Sequence, residues 1–220
     1  MGEFVIACEM LRDELTLAAE RAGVQPEIVW LEKGLHDTPA KLRLAVQQAV
    51  DAAEAEHDLI LLALTWCGGG LDGVGSERAA LAAPRFDDCI RLLLSREAGQ
   101  TNEADCRSLY LTRGWMDSDR YLLRDFEKYR REYGERGARR IIRAMLANYR
   151  SLHLIDTGAY PLSNYVPAAR RDAASLGLAF GEQPGTVRVL EKLLRRELDG
   201  EFCVLKPGER FAQRMFLHLP

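Results

Sequence analysis

Apolar residues fall along this chain in two rhythms. Short unbroken runs alternate with stretches where an apolar residue returns every three or four positions. Phe4-Val5-Ile6-Ala7-Cys8 is a run of the buried-strand kind. From about Glu9 to Arg21, Leu11, Leu15, Ala18 and Ala22 recur at helical spacing. Gly23 follows, where a helix C-cap glycine belongs. Glu27 to Leu31 predicts a second strand. Thr38 suits an N-cap and Pro39 a first helical residue, with an apolar stripe beyond them at Leu42, Ala45, Val46, Ala49, Val50 and Ala53. Asp58 to Leu64 is almost wholly apolar, as a strand covered on both faces is. Cys67 to Gly75 is a glycine-rich loop, Leu81-Ala82-Ala83 a fourth short strand, and Asp88 to Leu94 a short helix. Strand-helix alternation with short connections predicts an α/β fold, a mostly parallel, doubly wound (Rossmann-like) sheet. Right-handed crossovers then place helices on both faces.

The second half repeats the pattern less cleanly. Strands are expected at Ser108–Thr112, Leu152–Ile155, Leu178–Phe180 and Phe202–Leu205. The charged stretch Asp117 to Ala147 predicts two helices broken near Tyr133-Gly134. Further helices are expected over Tyr165–Ser175 and Thr186–Glu197. This divides the chain into an α/β lobe over 1–115 and a helix-rich α/β lobe over 116–220. From Arg124 to Arg143 glutamates and basic residues interleave, which reads as a solvated helix face held by i,i+4 pairs.

Composition narrows the functional classes. The chain has 220 residues, 47% of them hydrophobic, and a formal net charge of −3. The missing basic excess argues against a nucleic-acid partner. No apolar run reaches the roughly 18 residues of a membrane span. The start, Met1-Gly2-Glu3-Phe4, has no basic n-region, so no secretory signal is expected. The five cysteines are odd in number and widely spaced. They imply a reducing, cytoplasmic setting with free thiols.

Reactive side chains of the first half fall just past successive strands, where open parallel sheets bind ligands. Cys8 ends the first strand and His36 lies in the loop after the second. Cys67 lies just past the third, and Cys89 opens the helix after the fourth. Three thiols and an imidazole suit zinc or iron. No C-x₂-C pair is present, so the site would be assembled from separate loops. A buried, small-hydrophobe role is the competing reading for each cysteine. At a helix N-terminus, the Cys89 thiol is expected to have a lowered pKa. Gly68, Gly70 and Gly73 match G-x-G-x-x-G after a strand. However, only a short stretch separates them from Pro84, too little for the long helix of a dinucleotide site. A wide backbone turn at Gly68 and Gly69 that lets a ligand approach is the better reading. Arg85 is a candidate to hold a substrate carboxylate or phosphate. Asp87 or Asp88 is expected to cap the following helix. Thr112-Arg113-Gly114-Trp115, with Trp115, is expected to form a wall of the same crevice, and Asp156-Thr157-Gly158 is a second-tier candidate. His153, Cys106 and Cys203 read as structural, and His57 and His218 have no supporting neighbours.

Several segments together resemble the family known as domain of unknown function 1638. They are Ile6-Ala7-Cys8, Gly34-Leu35-His36-Asp37-Thr38-Pro39, Cys67-Gly68-Gly69, Pro84-Arg85 with Asp88-Cys89-Ile90, Leu111-Thr112-Arg113-Gly114-Trp115 and Ile155-Asp156-Thr157-Gly158. Gly185 to Leu194 and Lys206-Pro207-Gly208-Glu209 fit as well. The family pattern has a histidine two residues before the third cysteine, where this chain has Asp87. The fourth metal position is therefore open between His36 and Asp87. The resemblance implies company with corrinoid-dependent methyltransferase systems, and so methyl transfer or one-carbon metabolism. Three readings stay open. One is a metal-binding protein or metalloenzyme using Cys8, Cys67 and Cys89. Another is metal-free cysteine acid/base chemistry on a small molecule. The last is a non-catalytic partner or chaperone of a corrinoid protein or methyltransferase, with the corrinoid carried by that partner.

Overall fold

The computed structural model describes residues 3–35, 38–98, 104–118 and 122–216, and side chains within these except those of 122–125. The chain forms two compact units, one of residues 1–102 with 186–220 and one of residues 103–185.

The first unit opens with β1 (Phe4–Cys8), a short 3₁₀ turn over Glu9–Leu11, and α1 (Arg12–Ala22). Gly23 ends α1 at φ 71, the left-handed conformation that glycine adopts without strain. There follow β2 (Glu27–Leu31), α2 (Pro39–Ala53), β3 (Leu59–Ala63), β4 (Ala80–Pro84) and α3 (Cys89–Leu94). The second unit holds β5 (Ser108–Leu111), α4 (Arg113–Met116), α5 (Leu122–Met145), β6 (Ser151–Asp156), α6 (Val166–Leu176) and β7 (Ala179–Pro184). The chain then returns to the first unit with α7 (Arg188–Leu194) and β8 (Phe202–Leu205). The expected boundary at residue 115 is corrected by this return: β8 pairs with β4, so the first unit is built from both ends of the chain.

The first sheet has the order β2-β1-β3-β4-β8. Its first four strands are parallel and β8 is antiparallel to β4. One cluster buries α2 residues Leu42, Val46 and Val50 against Ile6, Ile60, Leu62 and Leu81. The opposite cluster buries Leu11 of the 3₁₀ turn, α1 residues Leu15 and Ala18 and α7 residues Val189, Leu190 and Leu193 against Val5, Ala7, Leu61 and Ala82. Helices thus cover both faces, and the unbroken apolar runs of β1 and β3 follow from double coverage. The chain winds outward in both directions from β1 and β3. The topological switch point, where sheets of this order bind ligands, therefore lies between their carboxyl ends.

At the β8 margin, Arg188 grips Glu201 through two hydrogen bonds of 2.6 and 2.7 Å, and Lys192 adds a third of 2.7 Å. This network ties α7 to the approach of β8.

The second unit is a parallel sheet of order β5-β6-β7. Its core packs Leu111, Leu152 and Leu154 against Ala169 and Ala173 of α6. Gly134 interrupts α5 at φ 68, the break expected near Tyr133-Gly134. No helix among the described residues is long and apolar enough to cross a membrane.

Candidate cysteine site at the switch point

Cys8 is the last residue of β1, and Cys67 comes just after β3. The two strands are neighbours in register, Ala7 beside Ala63. These thiols therefore flank the switch point. Cys89 is the first residue of α3, after β4. Backbone hydrogen bonds draw the β3 and β4 loops together: Trp66 N–H donates to Phe86 O at 3.0 Å, and Cys67 N–H to Asp87 O at 2.8 Å. That stitching places Cys67 beside the segment carrying Cys89.

The loop has an unusual backbone. Cys67, Gly68 and Gly69 have φ of 44, 65 and 103. A left-handed cysteine is strained by about 1–2 kcal/mol, so the surroundings must hold it. The Thr65 hydroxyl, almost fully buried, lies 3.0 Å from the Cys67 sulfur. A Cβ on Gly70 would stand 2.3 Å from Leu42 Cδ2, so only glycine lets α2 approach this closely. Gln47 of α2 exchanges two hydrogen bonds with the Gly75 backbone, at 2.8 and 3.1 Å. After Gly70 the chain turns without opening a helix, so Gly68, Gly70 and Gly73 do not form a dinucleotide cradle.

Burial raises all three thiols. Burial is the main force pushing the Cys8 thiol up to about 11, and the Cys67 charge adds to it. Burial also raises Cys67, partly offset by the Thr65 hydrogen bond. Cys89 is pushed well above the usual thiol range, first by burial and then by the charges of Cys67, Cys8, Asp88 and Glu14. The lowered pKa expected for Cys89 is thus corrected. A helix of six residues carries little dipole, and desolvation outweighs it.

Sequence reasoning missed Glu14. Its side chain is fully buried on α1. The signal was present: Glu14 sits three after Leu11 and four before Ala18, inside the helix's apolar stripe.

The other expected residues fall as follows. Asp88 caps α3, its carboxylate accepting from Arg91 N–H at 2.8 Å. The Asp87 carboxylate is half-exposed and lies 3.8 Å from Arg91. Arg85 leans to β8, where its Nη2 donates to Phe202 O at 3.4 Å and its charge acts on Cys203. Trp115 belongs to the second unit, packed against its core. His153 stacks on Tyr110 with ring centroids 5.5 Å apart, and His57 stacks on Phe4 at 4.3 Å. His36, Asp37 and His218 lie outside the described residues. Among the described residues, no three His, Cys, Asp or Glu side chains are already arranged to hold a metal ion.

At neutral pH the raised thiols are protonated, which bears on their reactivity. A pKa near 11 instead of 9 lowers the thiolate fraction of Cys8 about 100-fold. With iodoacetamide at pH 7, exposed Cys106 is expected to label first, with Cys8, Cys67 and Cys89 lagging. Mass spectrometry of a labelling time course reads this order. Faster labelling of any of the three would restore the metal-free nucleophile.

Fold and site together define a doubly wound α/β protein in which Cys8 and Cys67 flank the switch point and Cys89 follows the next strand. The family model described as "Protein of unknown function (DUF1638)" matches residues 30–194. That is well over half of the chain, and the chain belongs to this family. Cys67 and Cys89 lie within the matched stretch, and Cys8 precedes it. No curated protein and no solved structure matches the chain.

Proposed function

We propose that this protein binds a thiophilic divalent cation, zinc or iron, through Cys8, Cys67 and Cys89. The observation that carries this reading is the placement of three buried thiols at the ends of β1, β3 and β4, where the charge of Cys67 acts on Cys8 and both act on Cys89. Each thiolate there raises the cost of the next, because like charges in a desolvated site repel. A divalent cation replaces that repulsion with attraction and displaces the thiol protons. The donor set, three sulfurs, suits zinc or ferrous ion. The sulfurs are not yet closed on one point, so binding requires side-chain rearrangement.

The protonated thiols favour this reading over metal-free cysteine chemistry, which needs a thiolate at neutral pH. A cation held by three sulfurs has one tetrahedral position left. There it can activate a bound thiol or water for transfer of a small group. Methyl transfer linked to a corrinoid partner is one such reaction, and its support is the family resemblance alone. Elemental analysis of protein purified without chelator tests the proposal. About one equivalent of zinc or iron is expected. Metal far below that, unchanged by Cys67→Ser, would sink it.

A further inference from the structure

Gly134 splits α5 into two segments. Its φ of 68 and ψ of 171 lie in a region that glycine alone adopts freely. In an unbroken helix Phe126 and Ile142 would stand about 24 Å apart. Instead both line one cavity of about 320 Å³, with Arg139 and Arg143 of the second segment and Ser175 and Leu176 at the end of α6. The break thus folds the two segments of α5 around a common space. The cavity lies wholly within the second unit, so it does not rest on the cation reading of the cysteines.

The lining is chemically divided. Ile142 is buried and Phe126 and Leu176 are partly buried, which gives an apolar floor. Arg139 and Arg143 are exposed. They stand four residues apart, so both cations lie on one side of the helix, and like charges at that spacing repel. Glu135 accepts from Nε of Arg139 at 2.8 Å, an exposed pair of the kind that contributes little. Arg143 has no acidic partner among the described residues: one turn back is Arg139 and one turn on is Ala147. The end of α6 does not call for these cations either. Its Ala173 and Ala174 carbonyls already accept from Leu178 and Gly177 N–H, at 2.9 and 3.1 Å. The Ser175 hydroxyl donates to Asp172 O at 2.8 Å and so offers a ligand only an acceptor. Two arginines beside an apolar cavity are left with a repulsion that a bound anion would relieve.

We propose that this cavity binds a small phosphate monoester. Arg139 and Arg143 hold the phosphate, and the organic group lies on Phe126, Ile142 and Leu176. Two cations one turn apart match a dianionic head, and guanidinium–phosphate hydrogen bonds are among the strong ones. The volume is at the small end of ligand sites, so the organic group is of about single-ring size.

The test is a titration of the full chain with phenyl phosphate, followed by calorimetry and amide chemical shifts. Saturable binding is expected, with the shifts centred on residues 139–143 and 174–177. Inorganic phosphate, which lacks the ring, should bind at least about 10-fold more weakly. Arg143→Gln should weaken phenyl phosphate binding roughly 10–100-fold, because a hydrogen bond to a charged group is lost. Arg143 is exposed, so this variant should fold, and an unchanged urea midpoint checks it. Arg140→Gln removes the same charge from an exposed position outside the cavity lining and should change affinity less than about twofold. Equal losses in the two variants would mean a diffuse basic surface and overturn the proposal. So would inorganic phosphate binding as tightly as phenyl phosphate, shifts centred elsewhere, or no saturable binding. If Arg143→Gln does not fold, the shift map and the comparison of the two phosphates decide.

Discussion

Cys67→Ser should weaken zinc binding by more than about 100-fold. Structural zinc sites bind with apparent free energies of ~10–16 kcal/mol over four ligands, so one ligand represents roughly 3 kcal/mol. Serine keeps the size of the side chain and its contact with Thr65, which lies 3.0 Å from the sulfur. It removes the donor that zinc prefers. Competition against a chromophoric chelator reads the affinity. Cys203→Ser is the control, because Cys203 is buried in β8, where its thiol donates to Met215 O. Equal loss in both variants would mean that the effect is general destabilisation.

The largest expected loss of stability comes from Leu62→Ala. Leu62 lies in β3, between β1 and β4, with no exposed surface. Its side chain belongs to the cluster that α2 closes. Truncation leaves a cavity in a close-packed layer and should cost about 3–5 kcal/mol. That is a large fraction of the ~5–15 kcal/mol holding a typical domain together. Urea denaturation should show a lower midpoint at an unchanged slope. A loss below about 1 kcal/mol would contradict the packing described for this face.

Much of this fold is written locally in the chain. The apolar runs at Phe4–Cys8 and Leu59–Ala63 are strands because both faces are covered, so no polar alternation obscures them. Pro39, Gly23 and Gly134 mark the start of α2, the end of α1 and the break in α5 through backbone geometry that any reader of sequence can use. The pairing of β8 was hidden, because nothing within Phe202–Leu205 says that its partner is β4, more than a hundred residues earlier. The polar end of β7, Gly181 to Pro184, was missed because only β6 pairs with this strand and much of its surface is open.

The site was legible in the same uneven way. Cys8, Cys67 and Cys89 could be singled out because strand ends are visible in the pattern and open sheets bind there. The hydrogen bonds that join the β3 and β4 loops were not, since they depend on the left-handed turn at Cys67 to Gly69. Glu14 was passed over because a glutamate on a helix is ordinarily a solvated residue. Only its phase within the stripe, between Leu11 and Ala18, betrays the burial. The thiol pKa values were misjudged for a related reason. Helix position is readable from sequence, whereas desolvation depends on what closes over the group.

The cation site itself is most directly tested by anomalous diffraction from crystals grown with zinc, collected on both sides of the zinc edge. The account predicts one anomalous peak within bonding distance, ~2.3 Å, of the sulfurs of Cys8, Cys67 and Cys89. A map with no peak among the three thiols, or with zinc only at surface residues, would contradict it.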